Sequence, residues 1–127
     1  MKTLYLDTHV VVWLYVKALS NLSKKAQDAI ESHEIRISPI VFLELEYLFE
    51  IKRIKEDSET ITNFLNDRIQ LKMDDKFNVA MWIAISAKEK WTRDPFDRLI
   101  VSHARLSKSP LLSKDTLIRK HYDLTIW

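Results

Sequence analysis

The stretch LYLDTHVVVWLYV, residues 4–16, carries the pattern that decides the fold. Its first three residues are apolar and are followed by Asp7, which is typical of a short buried strand. The apolar run from Val10 to Val16 begins after only two more polar residues. It indicates a largely buried helix, because the chain must reverse direction after the strand. Asp7 therefore lies at the junction between a strand and a helix.

Short strands and helices continue to alternate through the rest of the chain. Strands are predicted at residues 35–37, 69–73, 110–112 and 124–127, and helices at 23–32, 39–52, 58–66, 78–90, 95–106 and 115–121. Such alternation favours an α/β fold in which helices cover a parallel sheet on both faces. Ligands of these folds bind beyond the carboxyl ends of the strands, so the residues directly after each strand are candidates for a functional site.

The composition limits what the protein can do. With 127 residues, of which 46% are hydrophobic and 30% charged, the chain has the size of one globular domain, predicted to span residues 1–127. It contains no cysteine, which excludes disulfides, thiolate metal sites and a cysteine nucleophile. It also contains no glycine, which P-loops and dinucleotide fingerprints need where the backbone approaches phosphate. ATP- or nicotinamide-dependent chemistry by the usual motifs is therefore excluded.

Charge and hydropathy narrow the class further. The net charge is only +2, but residues 88–120 hold 9 basic and 4 acidic residues, which suggests a partner that carries phosphate. The longest apolar run, Val10 to Val16, is well short of the ~18 residues of a membrane span. Asp7 and His9 interrupt what would be the apolar core of a signal peptide, so we expect a cytoplasmic protein without membrane contacts.

Aspartates occupy three of the predicted strand-to-helix junctions. They are Asp7 after the first strand, Asp94 and Asp97 at the start of the next-to-last helix, and Asp115 after the strand 110–112. An aspartate in the first turn of a helix is a routine cap that contributes about 1 kcal/mol. Each of these residues, taken alone, could therefore be only a cap.

Glu44 cannot be explained as a cap, because it lies in the middle of the predicted helix 39–52. Its helical neighbours Ile40, Tyr47 and Leu48 are apolar, and a carboxylate in an apolar stripe is costly to bury without a cationic partner. A divalent cation shared with the junction aspartates would supply that partner. A buried salt bridge to an arginine or lysine is the alternative.

A cluster of acids of this kind has a natural ligand. Carboxylates packed together repel one another and raise one another's pKa, and a divalent cation removes that repulsion. Carboxylate oxygens favour hard cations such as Mg²⁺ or Mn²⁺. Such a cation can activate a water molecule and polarise a phosphoryl oxygen. The acids therefore fit phosphoryl chemistry that needs no glycine loop.

Four segments together resemble the PIN-domain ribonucleases, in particular the VapC-type toxins of bacterial and archaeal toxin–antitoxin pairs. The segments are LDTH (6–9), SPIVFLE (38–44), RDPFDRLIV (93–101) and LSKD (112–115), of which the first and third are the most specific. The resemblance spans residues 4–127. Ser113 stands where the family often has threonine and keeps the hydroxyl group.

The resemblance implies a three-layer α/β/α fold with a central parallel sheet and metal-dependent endonuclease activity on RNA. It implies Asp7 and Asp97 as the main ligands of Mg²⁺ or Mn²⁺, with Glu44 and Asp115 completing the acidic site directly or through water. It also implies a homodimer that a cognate antitoxin protein inhibits.

Polar residues beside the acids have two interpretations each. Thr8 could orient a ligand carboxylate or cap a helix, and Asp94 and Ser113 are predicted to support the site. Arg93 and Arg98 could hold RNA phosphates with their guanidinium groups, or could be solvated surface.

Several other side chains are predicted to be structural or solvated. His9 could support the site but fits a packed or capping histidine, and His103 fits a structural role. The four tryptophans are predicted to be core or dimer anchors rather than base-stacking platforms. Glu46, which shares a face with Glu50 and Arg53, is predicted to be solvated.

The apolar residues of the helices predict which faces are covered. In the helix 78–90, the residues Ala80, Ile83, Ala84 and Ala87 lie on one face. The segments 42–51 and 61–65 carry more apolar surface than one small core needs, so we expect them to form an oligomer or antitoxin surface.

The sequence thus predicts an Mg²⁺- or Mn²⁺-dependent endoribonuclease that hydrolyses a phosphodiester bond and is the toxin of a toxin–antitoxin pair. Two alternatives remain. One is a non-catalytic RNA- or protein-binding protein of the same fold, and the other is a phosphate-accepting receiver-like domain. Receivers need a pair of acids after the first strand, whereas Asp7 is followed by Thr8 and His9.

Overall fold

The structure, a computed structural model that describes residues 1–127, contains five strands and seven α-helices. In chain order they are β1 (Thr3–Leu6), α1 (Thr8–Tyr15), α2 (Lys24–Ser32), β2 (Glu34–Ile37), α3 (Pro39–Glu50), α4 (Ser58–Ile69), β3 (Lys72–Met73), α5 (Val79–Ser86), α6 (Pro95–Leu106), β4 (Leu111–Leu112), α7 (Thr116–His121) and β5 (Thr125–Ile126). Every predicted strand and helix is present. The predicted strand 69–73 is too long, because Ile69 still belongs to α4 and Gln70 adopts a left-handed conformation.

The five strands form one parallel sheet in the order β3-β2-β1-β4-β5. Tyr5 of the central strand β1 pairs with Arg36 of β2 on one side and Leu111 of β4 on the other. Helices cover both faces, so Leu4 and Leu6 are as well buried as their neighbour Tyr5. The predicted α/β/α fold with a central parallel sheet is therefore confirmed.

The strand order creates a crevice at one place on the carboxyl edge of the sheet. β2 lies on one side of the central strand β1, and β4 lies on the other. The connections that leave β1 and lead to β4 therefore run in opposite directions, which leaves a crevice between these two strands. Open α/β sheets bind their ligands at such a switch point. Asp7 follows β1 and Ser113 follows β4, so both lie at this crevice.

A core cluster of 22 buried residues packs against the sheet. Ile61 and Leu65 of α4 belong to it, with exposed fractions of 1% and 2%, so the expectation that 61–65 forms part of an outer apolar surface is wrong. The face of α5 that carries Ala80, Ile83, Ala84 and Ala87 is exposed, with Ile83 at 50%. The side of α5 that packs on the protein carries Trp82, whose indole N–H donates to Leu99 O of α6 at 2.8 Å.

None of the helices combines the length and apolarity needed to cross a membrane.

Helix ends are built without glycine. All seven α-helices begin at a side chain that caps a backbone N–H: Asp7, Ser23, Ser38, Asp57, Asn78, Asp94 and Asp115. Four helices are followed within two residues by a residue with positive φ, a position that usually takes glycine: Lys17, Lys52, Gln70 and Lys108. A lysine or glutamine there costs about 1 kcal/mol, so the absence of glycine is tolerated at some loss of stability.

One buried polar cluster joins β1 to α6. The Tyr5 hydroxyl donates to Asp74, and burial followed by this carboxylate raises the pKa of Tyr5 to about 12. His103 is fully buried with its Nε2 3.3 Å from the same carboxylate, and burial lowers its pKa. Its ring packs on Phe77 with the centroids 4.3 Å apart, which gives His103 a structural role in the core.

Candidate active site

A cavity of about 550 Å³, called the acidic cavity below, opens at the carboxyl edge of the sheet. Its polar wall contains every acid singled out from the sequence together with three other polar residues: Asp7, Thr8, His9, Glu44, Arg53, Asp94, Asp97 and Asp115. The acids come from four places in the chain, namely the end of β1, the middle of α3, the first turn of α6 and the start of α7. The fold therefore gathers into one cavity side chains that are far apart in sequence.

Asp7 accepts two hydrogen bonds and has a histidine beside it. Its Oδ1 accepts from Thr8 N at 2.8 Å, and its Oδ2 accepts from the Ser113 hydroxyl at 2.6 Å and lies 3.3 Å from His9 Nδ1. His9 Nε2 accepts from Lys114 N at 3.1 Å, so the imidazole proton sits on Nδ1, facing Asp7. A carboxylate has about four acceptor positions, so Asp7 keeps room for a cation.

Glu44 points into the acidic cavity from the middle of α3. The Thr8 hydroxyl donates to its Oε1 at 2.5 Å, so Thr8 orients this carboxylate. Burial raises the pKa of Glu44 to about 7, the charges of Asp7 and Asp94 add to the increase, and the Thr8 hydrogen bond opposes it. No lysine or arginine forms an ion pair with Glu44, so the alternative of a buried salt bridge is not what the structure shows.

Asp97 lies in the first turn of α6 but does not cap it. The cap is Asp94, whose Oδ1 accepts from Phe96 N at 2.8 Å and from Asp97 N at 3.3 Å. The Asp97 carboxylate accepts no hydrogen bond, and its pKa is raised to about 7 by burial and then by the charges of Asp94, Asp7, Asp115 and Glu44. Its position is therefore electrostatically unfavourable unless a positive charge is near.

Asp115 serves two purposes. Its Oδ1 accepts from Leu117 N at 2.8 Å and Ile118 N at 3.0 Å, which caps α7. Its own N–H donates to the Ser113 hydroxyl at 3.1 Å, and that hydroxyl donates to Asp7. Ser113 thus links the two acids that follow β1 and β4.

The oxygen atoms that the acidic cavity offers as ligands are suited to a hard divalent cation. They are carboxylate oxygens with a neighbouring hydroxyl, which is the ligand type that Mg²⁺ and Mn²⁺ prefer. Burial is the main reason that the pKa values of Glu44 and Asp97 are raised, and the repulsion among the carboxylates, which such a cation would remove, adds to it. No group of three or more Asp, Glu or His side chains is arranged here as a ready ligand set, so binding would have to draw the carboxylates together.

The two arginines that the sequence singled out lie outside the acidic cavity. Arg98 donates through Nε to Thr92 O at 2.8 Å, Arg93 is exposed, and neither lines the acidic cavity. Arg53 does line it, and sequence reasoning missed this. Arg53 N bonds back to Leu48 O at 2.8 Å after the left-handed turn at Lys52, and no sequence pattern indicates that reversal.

Glu46 is a further correction, because it is not simply solvated. Its Oε1 accepts from Ser58 N at 3.2 Å and from the Ser58 hydroxyl at 3.0 Å. It therefore ties α3 to the first turn of α4, outside the acidic cavity.

The fold is a parallel sheet between two layers of helices, and carboxylates gather at its switch point. The protein is therefore an α/β protein with an acidic site that attracts cations. Residues 4–124 match the PIN domain model, and the chain belongs to the PIN-domain family. The sheet order also differs from the 2-1-3-4-5 order of receiver-type folds, so the receiver-like alternative is not supported.

Solved structures with the same fold come from several bacteria. VapBC2 from Rickettsia felis, bound to a promoter DNA fragment, has a TM-score of 0.67 at 16% identity, covering 98% of this chain and 99% of that one. A toxin–antitoxin complex from Klebsiella pneumoniae has a TM-score of 0.64 at 15% identity, with coverage of 97% and 95%. VapBC-1 from nontypeable Haemophilus influenzae has a TM-score of 0.57 at 15% identity, with the same coverage. A comparison with curated proteins finds no match.

Proposed function

We propose that this PIN-domain protein is an Mg²⁺- or Mn²⁺-dependent endoribonuclease that hydrolyses RNA phosphodiester bonds. The observation that carries the proposal is the acidic cavity, in which Asp7, Glu44, Asp97 and Asp115 converge with no lysine or arginine paired to any of them. Charge of this density is costly without a counter-cation. Family membership adds support, because PIN domains are generally nucleases.

The residues divide into ligands and groups that hold the ligands. Asp7 and Asp97 are proposed as the main metal ligands, with Glu44 and Asp115 acting directly or through water. Thr8 and Ser113 position Glu44 and Asp7 through the hydrogen bonds described above, and Asp94 holds the first turn of α6 that presents Asp97. The bound cation would neutralise the carboxylates, acidify a water molecule and polarise a phosphoryl oxygen.

The basic side chains are proposed to place the RNA backbone. Arg93 is exposed beside the start of α6, and the terminal nitrogens of Arg98 stay free of protein partners while its Nε holds Thr92. Either guanidinium can pair with a phosphate approaching the acidic cavity. Arg53 lines the cavity itself and is a further candidate for the same contact.

The test is RNA cleavage by the purified protein with Mg²⁺, with Mn²⁺ and with EDTA. Asp7→Asn removes one ligand charge, and Asp67→Asn is the matched control, because Asp67 is an exposed α4 acid that forms no salt bridge. We expect metal-dependent cleavage that Asp7→Asn abolishes and Asp67→Asn leaves intact. RNA binding without cleavage under any metal condition would instead support the non-catalytic alternative.

We further propose that the protein is a toxin of the VapC type with an antitoxin partner. The support is the likeness to toxin–antitoxin complexes from R. felis and K. pneumoniae. Expression of the chain alone is expected to arrest growth, and co-expression of a small protein encoded next to it is expected to relieve the arrest. If that small protein bound without slowing RNA cleavage, the inhibitory part of the proposal would be wrong.

A homodimer is also proposed. Large apolar side chains remain exposed on α3 and on α5, among them Leu43 at 55%, Tyr47 at 47%, Met81 at 53% and Ile83 at 50%. Apolar residues exposed in such number on two helices are typical of a protein–protein interface.

A further inference from the structure

Aromatic rings line one side of the acidic cavity. His9 and Trp13 are one helical turn apart on α1, and their ring centroids are 4.8 Å apart. Trp127, which directly follows β5, lies with its ring centroid 5.9 Å from that of Trp13. We call His9, Trp13 and Trp127 the aromatic shelf.

The aromatic shelf borders a second cavity that adjoins the first. This side cavity is a shallow, largely open depression of about 470 Å³, lined by His9, Trp13, Lys114, Asp115 and Thr116. His9, Trp13 and Asp115 line the acidic cavity as well. A ligand in the side cavity would therefore lie next to whatever occupies the acidic cavity.

The tryptophans of the aromatic shelf differ from the other two in the chain. Trp82 donates its indole N–H to Leu99 O at 2.8 Å, and Trp91 donates to Glu89 at 2.5 Å. The indole N–H groups of Trp13 and Trp127 make no hydrogen bond within the protein, and neither is buried without a partner. Two tryptophans are thus satisfied as structural residues, while the shelf pair keeps accessible donors.

A positively charged lysine side chain lies over the aromatic shelf. Lys114 Nζ lies 6.0 Å from the centroid of the Trp13 ring, and Lys114 forms no salt bridge although Asp115 is its neighbour in sequence. The backbone N–H of Lys114 is bonded to His9 Nε2 at 3.1 Å, which ties the shelf to Asp7 through the histidine. The backbone of Lys114 is thereby held near Asp7, and its side chain extends over Trp13.

We propose that the aromatic shelf is a nucleobase-stacking subsite, where a base of single-stranded RNA next to the cleaved phosphate lies on Trp13 while Lys114 contacts a backbone phosphate. This inference rests on the proposed ribonuclease function. Aromatic faces with a neighbouring cation are what proteins use to bind unpaired nucleotides. Trp13 and Trp127 also pack against the core, as expected of the tryptophans, so the subsite would use the part of the Trp13 ring that faces the side cavity.

The experiment measures RNA binding in the cleavage-deficient Asp97→Asn protein by fluorescence anisotropy. The ligand is a labelled single-stranded RNA that the unmodified protein cleaves. Adding Trp13→Leu is expected to weaken binding about 5- to 150-fold, the range for loss of one base–aromatic stack. Trp13→Phe keeps a flat ring, so its RNA affinity should lie between that of the parent and that of Trp13→Leu. Trp91→Phe changes a tryptophan that is stacked on His121, and this control should bind RNA like the parent.

Two further readouts separate stacking from a structural role. Removing one base of the RNA at a time should weaken binding to the parent at one position most strongly, and Trp13→Leu should lose that sensitivity. Lys114→Gln, an exposed change that leaves the fold intact, should reduce the slope of log affinity against log salt by about 0.7, the value for one single-strand phosphate contact.

The outcomes distinguish this inference from the function on which it rests. If the unmodified protein cleaves RNA but Trp13→Leu and Lys114→Gln bind it as the parent does, the subsite is wrong and the ribonuclease proposal stands. If Trp13→Leu changes the oligomeric state and leaves RNA affinity unchanged, the shelf is a protein interface and the subsite is again wrong. If no RNA is bound or cleaved at all, both proposals fail.

Discussion

Replacing Asp97 by asparagine should make the metal-free protein more stable and the metal-loaded protein inactive. The substitution keeps the size of the side chain and removes one negative charge from the acidic cavity. It costs no helix cap, because Asp94 caps α6 and the Asp97 carboxylate accepts no hydrogen bond. The change therefore isolates the electrostatic effect.

The magnitude follows from the pKa of Asp97, which rises from 3.8 to about 7. At ~1.36 kcal/mol per pKa unit, that difference sets an upper bound of ~4 kcal/mol on the destabilisation, and screening by water in the open cavity reduces it to roughly 1–2 kcal/mol. Asparagine also loses the attraction of a carboxylate to the N-terminus of α6, about 0.3–1 kcal/mol. A net gain of roughly 1 kcal/mol remains, or about 3 °C in melting temperature for a chain of this size.

The gain should depend on pH with a definite sign. Because the folded-state pKa of Asp97 lies above its unfolded value, the folded protein binds the extra proton between about pH 4 and pH 7, and its stability falls as the pH rises through that window. The asparagine variant lacks this dependence. Its advantage in EDTA should be absent near pH 4, grow toward pH 7 and stay constant above it.

The assay pairs thermal melting in EDTA with RNA cleavage in Mg²⁺ or Mn²⁺, with Asp67→Asn as the control for a change in net charge alone. Asp97→Asn should cleave slower by orders of magnitude, since a ligand charge is lost. A variant that melts lower than the unmodified protein yet cleaves normally would show that Asp97 is a structural residue. That result would also rule out the proposed active site.

Three shorter predictions follow from other contacts. Ser113→Ala removes the 2.6 Å hydrogen bond to Asp7 and should weaken Mg²⁺ binding ~10- to 100-fold by isothermal titration calorimetry; unchanged affinity would mean that Ser113 does not position the ligand. Lys108→Gly relieves a positive φ of 51° and should stabilise the protein by up to ~1 kcal/mol in urea unfolding, whereas a loss would show that the lysine side chain stabilises that turn. The protein should be a dimer by light scattering and Ile83→Glu on α5 a monomer, and a monomeric unmodified protein at high micromolar concentration would exclude the interface.

The sequence was sufficient for the order of the elements and for the acids. The alternation of short apolar segments with longer helical segments predicted the parallel sheet. Strands that are buried on both faces must be apolar, and helices are recognised by the caps at their starts. The same pattern placed Asp7 and Asp115 at strand ends, and the apolar neighbours of Glu44 predicted that it turns inward. The strands, the helices and their caps depend on contacts within one or two turns of chain, which local sequence encodes.

Helix faces were harder to predict. Ala80, Ile83, Ala84 and Ala87 have helical spacing, yet the buried residues of α5 are Trp82 and Ser86, because only one side of that helix meets α6. In α4 the opposite happened, and Ile61 and Leu65, expected at an outer surface, belong to the core. An apolar stripe indicates that a face will be covered, but what covers it depends on neighbours distant in sequence.

The sequence by itself determined the fold class, the capping chemistry and the identity of the acids. Only the tertiary structure decided that Asp94 and not Asp97 caps α6, that Thr8 and Ser113 hold Glu44 and Asp7, and that Trp13 meets Trp127. The physical reason is that hydrogen-bond partners and ring contacts are set by the packing of strand ends and helices against one another. Charge repulsion inside the acidic cavity likewise exists only once β1, α3, α6 and α7 bring their carboxylates together.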